Sequence, residues 1–265
     1  MIQFRLFEGC GSITLIMKDK RLYLYGGHSV KELIQSHAKI ITRLYIRDTL
    51  EKNTLDGFRE LAKIAKIPFS VVSGKDINRY VGDVNDQGVV ALVSKFPYTD
   101  LEEFVENINI KKNPSVIIMD SLEDPHNVGA IIRTAAGLGA SAVIIPKDNQ
   151  VSITQTVFKV SAGAVNHIPI IQAGSLTKAM NLLKKKGFWF GVLDKSSKKE
   201  DSLFSHSFKA PTAFIVGNEG KGVKTSIRNE SDFVVSIPIS EKVESYNASV
   251  SLAIVLYEWR RQNKK

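Results

Sequence analysis

From residue 114 onward the sequence alternates short, wholly apolar, β-branched runs with longer stretches at helical spacing. SVIIMD is followed by VGAIIRTAAGLG, SAVIIP, TVFKVSAGAV, IPIIQ, SLTKAMNLLKKKG, FWFGVLD, PTAFIVGNEG, FVVSIPI and SVSLAIVLYEWRRQ. Strands that are apolar on both sides need a sheet covered on both faces, and helices between them let consecutive strands run parallel. Residues 114–265 are therefore predicted to form an α/β domain around a mostly parallel sheet. Residues 1–100 also alternate, through RLYLYGG, VKELIQSHAKI, TRLYIRD, GFRELAKIAK, IPFSVVS and GVVALVSK, which predicts a smaller α/β domain. Between the two, the turn signal FPYTD leads into the acidic amphipathic stretch LEEFVENI and then NIKKNPS, and residues 101–113 read as a linker.

Composition excludes several classes of protein. A chain of 265 residues with 43% hydrophobic and 24% charged residues is neither disordered nor collagen-like. No apolar run approaches the roughly 18–20 residues that span a bilayer, and the first residues lack a secretory pattern, so the expectation is a cytoplasmic protein. Cys10, the one cysteine, excludes an intramolecular disulfide and reads as a small buried hydrophobe. His28, His37, His126, His167 and His206 show no metal-ligand spacing, so no metal is expected. The formal charge of +9 points to an anionic partner. Basic clusters stand at Lys184–Lys186, at Lys195, Lys198 and Lys199, and at Arg260, Arg261, Lys264 and Lys265; each alone reads more often as a solvated helix face or tail than as a nucleic-acid contact.

Ligands of open α/β sheets collect in loops beyond the C-terminal ends of strands. Three such loops are rich in Gly, Asn, Asp, Glu and Ser: DSLEDPHNVGAIIR, VGNEGKGV and IPISEKVESYNASVS. The first lacks GxGxxG; Gly137 and Gly139 fall at the end of its helix, where a C-cap explains them. That disfavours a nicotinamide dehydrogenase or an ordinary Rossmann methyltransferase. Asn127 reads as a helix cap at or just before the helix start. Arg133 reads equally as half of a salt bridge to Asp120 or Asp124 and as a guanidinium fork for phosphate or carboxylate. Gly217, Gly220 and Gly222 allow a sharp turn and close approach of backbone to a ligand, or simply a strand-ending turn. Ser245, Asn247 and Ser249 exceed what one helix cap uses.

In this order the three stretches resemble the sequence motifs of the SpoU, or TrmH-like, family of RNA ribose 2′-O-methyltransferases, here reading NVGAIIR, GNEGKG and IPISEKVESYNASVS over about residues 114–262. The starts and ends of the front part, LYGGHSV and NDQGVVALV, resemble that family's substrate-binding domain. The resemblance implies a C-terminal SPOUT fold with a deep trefoil knot, S-adenosyl-L-methionine as cofactor, RNA as partner, and a homodimer through the C-terminal domain with each site completed near the interface. By position it implies cofactor contacts at Gly217, Ile237 and Tyr246, with Asn218, Gly220 and Ser249 beside them. It places the polar reaction site at Asn127, Arg133, Glu219 and Asn247. The chain departs from the common pattern at Ile239, Glu241, Tyr246 and Ala248, which bears on substrate fit more than on backbone contacts to the cofactor.

Methyl transfer from a sulfonium needs the attacking oxygen in line and its proton removed as the bond forms. The resemblance assigns activation to Arg133. A guanidinium is a reluctant base, so a role in holding phosphate and stabilising the developing alkoxide is the physical alternative. By analogy the two-domain arrangement favours ribosomal RNA, of the 23S guanosine type. The alternatives are a transfer RNA ribose methyltransferase and a non-catalytic RNA-binding assembly factor.

Overall fold

A computed structural model of the protein describes residues 14–263 except Ser197 and Glu219. Cys10, Lys264, Lys265 and Glu219 therefore lie outside the described residues. The chain divides into two compact units between Pro97 and Tyr98.

The first unit holds β1 (Thr14–Lys18), β2 (Arg21–Tyr25), α1 (Gly27–His37), β3 (Ile41–Arg47), α2 (Lys52–Ile64), β4 (Phe69–Val72), α3 (Gly74–Val81) and β5 (Val89–Val93). Its sheet has the order β1-β2-β5-β3-β4, antiparallel except for the β3–β4 pair. Period-two alternation sends Leu22, Leu24, Leu44 and Ile46 to one face, where they are buried together with Leu33 of α1 and Phe58 of α2. On the opposite face Tyr23 and Val90 pack with Ile77 and Val81 of α3. The turn into α3 was not anticipated from the sequence; its signal is Ser73, whose side chain accepts a hydrogen bond from the Asp76 N–H.

The second unit runs through α4 (Leu101–Asn107), β6 (Ser115–Asp120), α5 (Pro125–Leu138), β7 (Ala142–Pro146), α6 (Gln155–Val160), β8 (Ile170–Ala173), α7 (Leu176–Lys185), β9 (Trp189–Leu193), β10 (Thr212–Gly217), α8 (Thr225–Asn229), β11 (Phe233–Val235) and α9 (Ala248–Asn263). The six-stranded sheet has the order β11-β9-β10-β6-β7-β8, and every pair is parallel. Alternate residues of β6 and β10, Val116, Ile118, Ala213 and Ile215, join one core with α4, α7 and α8. Ile117, Met119, Phe214 and Val216 point to the other face, also buried, where α9 lies against β10 and α5 against β7. Cover on both sides is the physical reason for the unbroken apolar runs.

Two sequence expectations differ from the structure here. Residues 101–113, read as a linker, contain α4, and Leu101, Phe104, Val105 and Ile108 are buried in the core of the second unit. Asp100 starts that helix by accepting from the Glu103 N–H at 2.9 Å. The stretch TVFKVSAGAV, read as one helix, is α6 followed by a turn with Ala162 at φ 50° and a short 3-10 helix at Ala164–Asn166.

Candidate active site

The order of the parallel sheet turns back on itself at β6 and β10, and ligands of open α/β sheets sit beyond strand ends at such a reversal. A cavity of about 590 Å³ opens there, at the C-terminal ends of β9, β10 and β11 and beside the start of α9. Gly217 at the end of β10, Asn218 and Gly220 after it, Ile237 and Ile239 after β11, and Tyr246 before α9 all line it. Loops from three strands and one helix start, up to tens of residues apart, thus share one concavity. Its volume is within the ~300–1,000 Å³ usual for small-molecule sites.

Gly217 is at the tightest point of this wall. A Cβ there would stand 2.3 Å from the carbonyl carbon of Gly222, so the strand end and the returning loop touch backbone to backbone. The loop is closed by a pair of hydrogen bonds, Asn218 N–H to Gly222 O at 3.1 Å and Gly222 N–H to Asn218 O at 2.8 Å. The Asn218 side chain organises the turn further: its Oδ1 accepts from the N–H groups of Gly220 (2.9 Å) and Lys221 (3.2 Å), and its Nδ2 donates to Ser121 O at 3.0 Å. From below, the fully buried Asp120 accepts from the Lys224 N–H at 2.8 Å and from Ser121 Oγ at 2.9 Å, with Lys224 Nζ at 3.3 Å. A buried carboxylate needs such partners. Its partners fix the far end of the same loop.

The first and third loops meet at two asparagines. Asn247 Nδ2 donates to Asn127 Oδ1 at 2.9 Å, and Asn247 Oδ1 accepts from the Ser249 N–H (2.9 Å) and Ser249 Oγ (2.6 Å). Asn247 is therefore the cap of α9, and its amide group does a second task by holding α5. Asn127, expected to be a cap, sits inside α5 and is buried; the cap is Asp124, which accepts from the His126 N–H at 2.8 Å, with Pro125 in the first helical position. Gly139 ends α5 in the left-handed region at φ 75°, as the sequence suggested.

Arg133 is exposed and forms no hydrogen bond or ion pair with the described residues. The carboxylates proposed for it are engaged elsewhere, Asp120 with Lys224 and Asp124 with the α5 cap. Neither Arg133, Asn127 nor Asn247 lines the cavity within one chain, and Ser249 turns its hydroxyl to Asn247 instead. Glu219 lies outside the described residues. Sequence reading missed a fourth loop: Asp194 and Lys195 after β9 line the cavity, and Asp194 pairs with Arg228 of α8. That loop also follows a strand end, which was the available signal; without glycine it resembled a solvated lysine run. Among the described residues no group of His, Cys, Asp and Glu could hold a metal ion, and no helix is long and apolar enough to cross a membrane.

A model of the SpoU rRNA Methylase family matches residues 114–257, and one for RNA 2′-O ribose methyltransferase substrate binding matches residues 23–99. A Staphylococcus haemolyticus protein described as a TrmH family tRNA/rRNA methyltransferase is 34% identical over 242 residues, 91% of this chain and 96% of its own. A Bacillus subtilis relative of the same description, YacO, is 33% identical over 249 residues, 93% of this chain and 98% of its own. In fold the chain is similar to the AdoMet-bound rRNA methyltransferase from Sinorhizobium meliloti, with a TM-score of 0.62 and 21% identity over 93% of this chain and 89% of that one. It is likewise similar to the SpoU methyltransferase AviRb from Streptomyces viridochromogenes in complex with AdoMet, with a TM-score of 0.61 and 22% identity over 92% and 90%.

The parallel sheet, the cavity at its reversal and the two family matches together define an RNA methyltransferase. The chain belongs to the SpoU family.

Proposed function

We propose that this chain transfers the methyl group of S-adenosylmethionine to the ribose 2′-hydroxyl of a guanosine in ribosomal RNA of the 23S type. The observation that carries the reading is the convergence of Gly217, Ile237 and Tyr246 on one cavity beside the Asn127–Asn247 bond. The cavity fits the donor. Among the described residues the backbone groups of Ile237 and Tyr246 have no hydrogen-bond partner, so they are free for a purine edge, while Val216, Val223 and Ile239 give apolar walls. Bound there, S-adenosylmethionine supplies an electrophilic sulfonium methyl group.

The chain's own residues supply position and charge. Arg133, exposed and without a partner among the described residues, holds the phosphate next to the target ribose and stabilises the oxygen as its proton leaves. Asn127 and Asn247 orient the nucleotide, and Glu219 completes the polar set. Because Arg133 does not line the cavity of its own chain, a homodimer in which it reaches the cavity of a second copy fits the arrangement. Val250 and Tyr257 of α9, 45% and 63% exposed, offer apolar surface for that contact. The proposal includes the deep trefoil knot, supported by the order β11-β9-β10-β6 and by a cavity built from the segments after three of these strands. In it residues 1–100 hold RNA and residues 114–265 perform the transfer.

Mapping 2′-O-methyl marks on total RNA from cells with and without the protein tests the proposal. Loss of one mark in large-subunit ribosomal RNA is the expected result. A mark lost from transfer RNA alone would move the substrate to that class, and no lost mark with no labelled methyl transfer in vitro would overturn the reading.

A further inference from the structure

Phe204 is 85% exposed, the most solvent-accessible large apolar side chain among the described residues. A single exposed phenylalanine is ordinary on a mobile loop, but this one is held on a tightly bonded turn. Leu203 beside it is buried, and the Leu203 N–H donates to Ser236 O at 2.8 Å. The Ser205 N–H donates to Ser202 O at 2.8 Å, and Ser205 Oγ donates to Lys199 O at 2.9 Å. On the far side His206 Nε2 bonds Val234 O at 2.8 Å, and its ring stacks on Phe208 at 5.8 Å.

Ser236 connects this turn to the candidate active site. It lines the cavity, donates its N–H to Asp201 O at 2.7 Å, and its hydroxyl accepts from the Ser196 N–H at 3.1 Å. The aromatic turn and the cavity wall are therefore one bonded unit. Lys195, Lys198 and Lys199 are exposed on the same segment, and Lys195 itself lines the cavity. The carboxylates nearby are mostly occupied, Asp201 by Ser196 Oγ and Asp194 by Arg228. Among the described residues of this turn, Glu200 is the one exposed counter-charge.

A flat exposed apolar ring on a turn that is bonded to the cavity wall and follows three exposed lysines, one of them lining the cavity, matches one kind of ligand: a polyanion that carries aromatic faces. We propose that Phe204 stacks on an unpaired base of the RNA strand adjoining the target nucleotide, while Lys195, Lys198 and Lys199 neutralise its phosphates. This rests on the methyltransferase reading for the identity of the polymer and adds to it a substrate contact outside the three motifs. Because the backbone that carries the ring is already bonded in place, binding has to order only the side chain, which favours tight stacking.

The test uses the full chain with Trp189→Phe, Phe204→Trp to place a fluorophore in the turn, titrated with a ten-nucleotide oligoadenylate and, separately, with inorganic polyphosphate. Saturating oligoadenylate is expected to quench the emission and polyphosphate to leave it. Phe204→Ala and Phe204→Leu are expected to bind the oligonucleotide about tenfold more weakly than the parent and to raise KM for RNA with kcat retained, because aromatic stacking is lost in both. S-adenosylmethionine affinity should stay within twofold in every variant. Unchanged oligonucleotide affinity in Phe204→Ala, or equal quenching by polyphosphate, overturns the inference. A wild-type chain that binds oligoadenylate through Phe204 yet transfers no methyl group to RNA would sink the functional proposal and leave the contact standing.

Discussion

Replacing Gly217 with alanine tests whether the loop after β10 must close on itself for the cavity to hold its ligand. The new Cβ would lie 2.3 Å from Gly222 C and 2.4 Å from Val223 N. Unbonded carbon atoms settle at about 3.5–4.0 Å, so one backbone segment must recede by roughly 1.2 Å or more. Both segments are main chain, and no rotamer relieves the overlap. The recession breaks the paired Asn218–Gly222 hydrogen bonds at 2.8 and 3.1 Å. Closing the loop on the alanine regains the two bonds, about 1 kcal/mol each, but restores two rigid main-chain overlaps, each costing more than the ~1–3 kcal/mol of ordinary overpacking, so the closed loop stands about 3 kcal/mol or more above the open one. A ligand that needs the closed loop must supply that energy, and at about 1.4 kcal/mol per decade its affinity falls by at least a hundredfold. The fold survives, because Phe214 and Ile215 of the same strand stay fully buried and untouched. Calorimetric titration with S-adenosylmethionine alongside thermal melting measures both quantities. Gly217→Ala binding the cofactor within threefold of wild type would refute the reasoning.

Other substitutions probe separate links. Gly137→Ala, in α5 where an added Cβ meets nothing within 4 Å, should raise stability by about 0.5–1 kcal/mol in a denaturant melt. Asp120→Ala leaves the Lys224 N–H without its acceptor and should cost about 2–3 kcal/mol, with faster proteolysis after Lys221 or Lys224. Arg133→Ala should lower methyl transfer by at least about a hundredfold while cofactor affinity stays within twofold, since the side chain lies off its own cavity. Hydrogen bonds from Arg261, then Gln262, lower the Glu258 carboxyl from its usual 4.5 to about 2. A depressed carboxyl stabilises the fold above its unfolded pKa, so its contribution of about 1 kcal/mol is full at neutral pH and fades between about pH 4.5 and 2. The melting difference between wild type and Glu258→Gln should shrink across that window.

The strands of the second unit were legible because a doubly covered sheet forces residues such as Ile117 and Ile118 on both faces to be apolar at once. The first-unit strands, with alternating faces, were legible by period two. Helix α4 was misread: the Asn113-Pro114 signal drew the boundary too far along, although Asp100 with Glu103 three positions on marks a helix start before Leu101 and Phe104. At the site, the glycine loop could be found by composition. The Asn127–Asn247 bond could not, because 120 residues separate its partners and either asparagine alone reads as a cap. Strand order is equally silent in sequence, since each apolar run fits any interior place.

The central place of β10 has a consequence for how the chain is made. One edge of β6 and one edge of β9 both pair with β10, yet β6 ends at Asp120 and β10 begins only at Thr212. At about 5–20 residues per second, ribosomal synthesis leaves the β6 edge and its apolar faces waiting for roughly 5–20 s. A nascent chain paused in that interval carries an open, hydrophobic strand edge, so chaperone occupancy and aggregation of truncated products should peak for lengths just short of β10.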